Sequence, residues 1–257
     1  MRRPVVCALL GLVLLGLVLL AGCSSGDGGA DASPGTATIT HTTTAGPSAT
    51  GSAAGCPSSG DGVPAGVDQA PTVDVDGDGR PDTEWIAQQP GSDGGVTFGV
   101  TTASGGTATA VIRSASPVAR SVLVADVTGR GEVVALASDG RQVLLYAVHD
   151  CGLVPVPNEQ GQQYAFDLGF TGFGTGVGCA DADGDGVTDL LGLFLQPPGA
   201  QNAEAVVQQT IVVLDGAVAR NGATIASPAG DEARQEAAQS VTCGDRTLDT
   251  DGVTSAP

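Results

Sequence analysis

The chain has 257 residues, in which 28 acidic side chains face ten arginines and no lysine, so its net charge is −18 at neutral pH. A protein this acidic repels phosphate backbones and anionic lipid headgroups, so we exclude nucleic acid as a partner. The same charge suits cations and an extracytoplasmic setting.

The N-terminal segment indicates export. Two arginines precede an apolar stretch from Val5 to Leu20, which is shorter than the roughly 20 residues of a spanning helix. The motif LAGC that follows, ending at Cys23, resembles the lipobox of bacterial lipoproteins. This resemblance implies a signal peptide over residues 1–22 and a lipid on Cys23 that anchors the protein to the cell membrane, on its extracytoplasmic face. The alternative is an ordinary signal peptide with a chance cysteine.

The segment after the signal peptide, residues 23–55, is rich in Ser, Thr and Gly and has almost no apolar bulk. Such a composition cannot bury a core, so it predicts a disordered tether. The remaining residues, 56–257, are enough for one domain.

This domain contains four cysteines, Cys56, Cys151, Cys179 and Cys243. An even number in an exported domain predicts two disulfides, with three possible connectivities. No pair has CxxC spacing and histidine is nearly absent, so zinc is not expected.

The domain repeats a pattern in which a short apolar strand ends at an Asp-rich turn and a second strand follows. The copies are anchored on Asp74, Asp126, Asp181 and Asp245. Self-similarity at roughly regular intervals, like those between these aspartates, is typical of arrays and propellers. About three units and a partial fourth are present.

Turn and strand signals continue within each unit. Strands are predicted at TEWIAQ, EVVALAS and DLLGLFL, and an Asp-Gly hairpin turn at 138–141 leads into the strand QVLLYAV. In the next unit, QQTIVVLDG is expected to form a similar strand and Asn221-Gly222 a similar turn. Only residues 231–240 have a helix-forming composition, so the fold class is all-β, built from small antiparallel sheets.

Three of the turns are named here the first (74–82), second (126–132) and third (181–189) acidic loops. The first and third have aspartates at positions 1, 3, 5 and 9 with glycines between them. Several hard oxygens in a Gly-turned loop predict calcium, which takes 6–8 oxygen ligands, and position 7 would add a backbone carbonyl. The predicted ligands are Asp74, Asp76, Asp78, Asp82 and the Arg80 carbonyl, and Asp181, Asp183, Asp185, Asp189 and the Val187 carbonyl. The other interpretation is a solvated acidic turn without metal.

An EF-hand would also present alternating acids. It needs a glutamate at position 12 and flanking helices, but position 12 is Trp85 in the first loop and Gly192 in the third. Strand patterns follow both loops, so these are loops between strands.

The segment Phe173-Gly174, Val177 and then ADADGDGVTDLLG resembles the FG-GAP or VCBS repeat of integrin-type β-propellers. In that repeat a Phe-Gly pair precedes the first loop aspartate by eight residues, which is the spacing from Phe173 to Asp181. The match is strong over 173–192, good over 74–86 without the Phe-Gly pair, and degraded elsewhere. It implies four-stranded blades with structural calcium, forming an incomplete array, a pair of copies or a small closed propeller.

The resemblance also predicts the properties of the weaker copies of the repeat. Thr128 and Arg130 replace acids in the second loop, so we expect weak or no calcium binding there, with the arginine standing in for the cation. The acids of 245–255 have broken spacing and predict no site or a weak one. Cys179 and Cys243 occupy equivalent first strands, which face the central axis of such an array. The resemblance therefore favours Cys179–Cys243 and, by remainder, Cys56–Cys151.

The residues argue against catalysis. His149 and Asp150 could form a base with its orienting acid, but neighbours in a strand point to opposite faces, and no G-x-S-x-G motif is present. We predict no catalytic residues and no enzyme activity. The favoured function is a binding or adhesion module for an envelope protein or glycan. The alternatives are an envelope structural protein with no discrete ligand and, least favoured, an envelope-polymer hydrolase.

Overall fold

The chain folds mainly into β-strands in the computed structural model, which describes residues 55–60, 62–169, 174–199, 203–215 and 218–257. The predicted signal peptide, the lipidation site Cys23, nearly all of the tether and Phe173 lie outside the described residues. Within the described ranges, no helix is long and apolar enough to span a bilayer.

Three four-stranded meanders follow one another along the chain. Sheet 1 consists of β1 (Val67–Thr72), β2 (Asp82–Ala87), β3 (Val96–Thr101) and β4 (Thr107–Ile112). Sheet 2 contains β5 (Ser121–Asp126), β6 (Val133–Ser138), β7 (Gln142–His149) and β8 (Gly152–Pro155), with β9 (Ala165–Asp167) paired to β7. Sheet 3 consists of β10 (Thr175–Ala180), β11 (Asp189–Gln196), β12 (Val206–Asp215) and β13 (Val218–Pro228). All pairings within these sheets are antiparallel, and no sheet closes on itself.

The strands β5 and β6 of sheet 2 are buried on both faces. One side of β5 places Val122 and Val124 in a core shared with sheet 1, and the other places Leu123 and Ala125 in a core shared with sheet 3. Successive strand residues point to opposite faces, so an uninterrupted apolar run is what a strand between two layers requires. The sequence of β6, VVALAS, is such a run and is buried throughout.

The C-terminal segment contacts all three sheets. It contains α1 (Glu232–Ala237), a hairpin of β14 (Thr242–Cys243) and β15 (Arg246–Thr247), α2 (Leu248–Asp251) and β16 (Val253–Thr254). Val241 forms a parallel bridge with Val177 of sheet 3, and β16 pairs with β5 of sheet 2. Where the sequence predicts a partial fourth unit, the structure has a hairpin and a short added strand.

A buried ion pair joins this segment to sheet 1. Arg246 donates to Oε1 of Glu84 at 2.7 Å and to the Pro71 and Asp251 carbonyls, while Oε2 of Glu84 accepts from the Val124 amide. The Glu84 side chain is fully buried. Burial raises the pKa of Glu84 to about 8, against the opposing effect of Arg246.

Of two local predictions, one is confirmed by the structure and the other is wrong. The helix predicted within 231–240 is present as α1, and Asp231 caps it by accepting from the Arg234 amide. The turn predicted at Asn221-Gly222 is wrong, because both residues lie inside β13, where the register with β12 shifts. An Asn-Gly pair also suits such an irregularity within a strand.

Candidate metal loops

Each acidic loop closes the first hairpin of its sheet. The first loop lies between the paired residues Thr72 and Asp82, and the second follows Asp126, which pairs with Val133. The third loop lies between Ala180 and Asp189 in the same way. The three loops therefore occupy the same position in their sheets.

The three loops share one backbone conformation. Glycines at positions 4 and 6 have positive φ in every loop, between 67° and 91°, which favours glycine. In each loop the aspartate at position 1 accepts from the position-6 amide, at 2.7 Å from Gly79, 2.7 Å from Gly131 and 3.0 Å from Gly186. The turn is thus built in the second loop as well, although two of its acids are replaced.

The first loop brings Asp74, Asp76 and Asp78 together, with one oxygen of each within 4.8 Å of the others. Asp78 also accepts from the Arg80 guanidinium at 2.6 Å, and this hydrogen bond holds the pKa of Asp78 below its usual value. An arginine therefore does enter an acidic loop, but it is Arg80 of the first loop. Arg130, expected to play that part in the second loop, makes no ion pair with Asp126 or any other acid in the described part of the chain.

Asp82, predicted as the fourth carboxylate of the first loop, lies outside this cluster. It is only 3% exposed, and its two oxygens accept from the backbone amides of Val75 and Ala103, both at 2.7 Å. Burial raises its pKa, and the two amides oppose this. In the structure Asp82 joins the loop to the turn after β3.

Asp76 connects the first loop to the start of the domain. Its Oδ2 accepts from the Cys56 amide at 2.7 Å and from the Ser104 hydroxyl at 3.1 Å, and that hydroxyl is also 2.6 Å from the Cys56 carbonyl. A Cβ built on Gly55 would lie 2.6 Å from the same Asp76 oxygen. Sequence spacing carried no signal for these contacts, because the residues are distant along the chain.

The third loop is more exposed and clusters a different set of acids. Asp181, Asp183 and Asp189 each place an oxygen within 4.8 Å of the others. Asp189 also accepts from the Ala182 amide at 3.0 Å. Asp185 lies outside the group and accepts from the Val187 amide at 2.7 Å.

The donor chemistry of both clusters fits a hard divalent cation. Every grouped atom is a carboxylate oxygen, the ligand that calcium and magnesium prefer. Carboxylates of both groups also accept hydrogen bonds from loop amides, and a carboxylate oxygen has a second lone pair for a further bond. Elsewhere in the described ranges, no group of three or more acidic, histidine or cysteine side chains converges in this way. The second loop and residues 245–255 therefore contain no such group.

The histidine–aspartate pair lies on the surface. Nδ1 of His149 is 3.1 Å from an Asp150 oxygen, and their side chains are 73% and 89% exposed. The expectation that the two would point apart is wrong, because β7 ends at His149 and Asp150 has a φ of +47° in the turn. This turn rotates Asp150 back toward its neighbour.

The four domain cysteines form Cys56–Cys151 and Cys179–Cys243, with Cα separations of 5.6 and 4.5 Å. This is the pairing that the repeat resemblance favours. The first bond joins the start of the domain to the turn after β7, and the second joins β10 to β14.

No protein-family model, curated protein or solved structure matches this chain.

Proposed function

We propose that the protein is a lipid-anchored extracytoplasmic binding module whose first and third acidic loops hold structural calcium. In this proposal the three meanders are blades of an FG-GAP or VCBS type, and Cys23 carries the lipid. The observation that supports it most directly is the convergence of three carboxylates in each of two hairpin loops with the same backbone conformation.

Calcium would act on stability. Three nearby carboxylates repel one another, and a bound divalent ion removes this repulsion. An ion that binds the folded state alone stabilises it by RT ln(1 + [L]/Kd), which is about 2.7 kcal/mol per site at a free concentration of 100 Kd. The loops would then hold the sheets in a fixed arrangement for binding.

The test combines elemental analysis with thermal melting of the protein in calcium and in EDTA. We expect bound calcium and a higher melting temperature in its presence. Asp74→Asn and Asp181→Asn should each reduce the calcium-dependent increase. The matched control is Asp126→Asn, since Asp126 accepts from the position-6 amide as Asp74 and Asp181 do, but in a loop without three clustered acids.

Absence of calcium together with an unchanged melting temperature would overturn the metal part of the proposal. An equal effect of all three substitutions would show that the turn contacts, and not the cation, cause the change.

The lipid anchor has its own test. We expect Cys23→Ser to release the protein from membranes, and retention of this variant on membranes would contradict the anchor.

A further inference from the structure

A groove between sheets 2 and 3 lies apart from the acidic loops. It consists of adjoining cavities of about 220 and 340 Å³ that share Tyr164, Ala165 and Asn221. Phe166, Phe194 and Thr210 line the first cavity, and Asn158, Gln160 and Arg220 line the second. We call this feature the inter-sheet groove.

The groove opens because the packing between the sheets ends at Gly192. Leu190, Gly192 and Phe194 point to one face of β11. Leu190 is buried in the core with sheet 2, whereas the Phe194 side chain is only half-buried. A Cβ on Gly192 would lie 3.6 Å from the Phe166 ring, so this ring packs over the glycine.

The aromatic wall of the groove is ordered by its own contacts. Tyr164 and Phe166 meet edge to face with centroids 5.2 Å apart, a favourable arrangement for rings. The Tyr164 hydroxyl donates to Oδ1 of Asn221, in β13, at 2.5 Å. Burial raises the pKa of Tyr164 to about 12, so the phenol remains a donor at neutral pH.

The two walls are also joined by their backbones. The Ala219 amide of β13 donates to the Pro157 carbonyl at 2.9 Å, and Asn158 forms a parallel bridge with Ala219. Oδ1 of Asn158 accepts from the Gln160 and Gln162 amides, both at 3.0 Å, which fixes its side chain. A groove whose walls are already in place loses little entropy when a ligand binds.

We propose that the inter-sheet groove binds a neutral oligosaccharide. Aromatic rings can pack against the C–H faces of sugar rings, and amide and hydroxyl groups both donate to and accept from sugar hydroxyls. Concave sites lined by rings with a few placed polar groups are typical of small-ligand binding. This inference rests on the proposed binding function and names its site and ligand class.

Charge and backbone pairing disfavour two other classes of ligand, anionic polymers and peptides that add a strand. The net charge of −18 opposes anionic polymers. A peptide that added a strand would need free backbone groups, but the Tyr164 amide donates to the Val156 carbonyl and its carbonyl accepts from the Leu145 amide. Recognition at Tyr164 must therefore come from side chains, as sugar binding requires.

The test titrates the full chain by calorimetry with maltotetraose, cellotetraose, chitotetraose and mannotetraose, with tetragalacturonate as the anionic comparison. We expect a neutral tetrasaccharide to bind and tetragalacturonate not to bind. Tyr164→Phe keeps the ring and loses one hydrogen bond, so it should weaken binding about threefold to tenfold. Tyr164→Ala also loses the ring and should weaken it further.

Tyr146→Phe is the matched control, since the Tyr146 hydroxyl donates to the Val111 carbonyl outside the groove. It should leave the affinity unchanged. The proposal is overturned if no neutral tetrasaccharide binds, if tetragalacturonate binds more tightly, or if Tyr164→Phe and Tyr146→Phe behave alike. Circular dichroism of each variant separates loss of binding from loss of folding.

The result is independent of the calcium proposal. Sugar binding without any calcium-dependent melting supports the groove and overturns the metal sites. Calcium-dependent melting without sugar binding supports the metal sites and overturns the groove proposal.

Discussion

Replacing Arg246 by methionine should strongly destabilise the domain. Arg246→Met keeps much of the side-chain volume but leaves the fully buried Glu84 carboxylate without its cation. Removing one partner of a buried ion pair costs about 3–5 kcal/mol. The Arg246 side chain is still 22% exposed, so water reaches the site and we expect about 3 kcal/mol. For a domain of this size that lowers the melting temperature by roughly 6–12 °C.

Urea unfolding at pH 9, where Glu84 with its pKa of about 8 is mostly ionised, measures this loss through the fluorescence of the single tryptophan, Trp85. Arg113→Met is the matched control because it removes an ion pair of similar length, 2.9 Å, whose side chains are 68% and 54% exposed. It should leave the stability almost unchanged. The double variant Glu84→Gln/Arg246→Met removes both charges and should recover much of the loss.

Two results would refute this reasoning. If Arg246→Met were no more destabilising than Arg113→Met, the buried pair would not hold the C-terminal segment on sheet 1. If the loss from Arg246→Met were the same with Gln at position 84, the effect would come from lost packing and not from an unpaired carboxylate.

Two further predictions concern other links in the fold. Replacing Cys179 and Cys243 by serine opens a crosslink with a sequence separation of 64 and should cost about 4 kcal/mol in urea unfolding; a cost near zero would contradict the crosslink. Burial acts to raise the pKa of Asp139, but hydrogen bonds from the Ser114 hydroxyl and two backbone amides outweigh it and hold the pKa below its usual value. This stabilisation is present above the unfolded pKa of about 3.9 and is lost as the pH falls through the folded pKa. The stability gap between wild type and Asp139→Asn should therefore narrow in urea unfolding below pH 4, and a constant gap would contradict it.

The all-β class and the acidic loops could be predicted because their signals are local. Glycines at positions 4 and 6 of each loop, aspartate at position 1 and a following apolar strand all lie within about a dozen residues of one another. The hairpin turn at Asp139-Gly140 is equally local, and Gly140 has a φ of +80°. Such features depend little on what packs around them.

Other parts of the fold depend on distant residues and gave no such signal. Nothing near Asp82 indicates that an amide from position 103 would take one of its oxygens. The inter-sheet groove likewise depends on Tyr164 reaching Asn221, 57 residues later. The Asn221-Gly222 error has the same origin, since the long register of β12 with β13 outweighs a dipeptide turn preference.

The burial of β5 and β6 on both faces has a signal in the sequence. The runs SVLVAD and VVALAS do not alternate between apolar and polar residues, which indicates strands covered on both faces. Strands of this kind need a packed layer on each side, which here are sheets 1 and 3.

The Cys56–Cys151 bond determines where a pulling force enters the domain. A force applied at the N-terminal side of Gly55 reaches Cys56 and crosses the covalent bond to Cys151, next to β7 in the middle of sheet 2. Sheet 1 then lies outside the load path, although it comes first in the chain. Reduction of this bond would route the same force through β1, an edge strand, and peel sheet 1 away strand by strand. The mechanical strength of the domain therefore depends on its redox state.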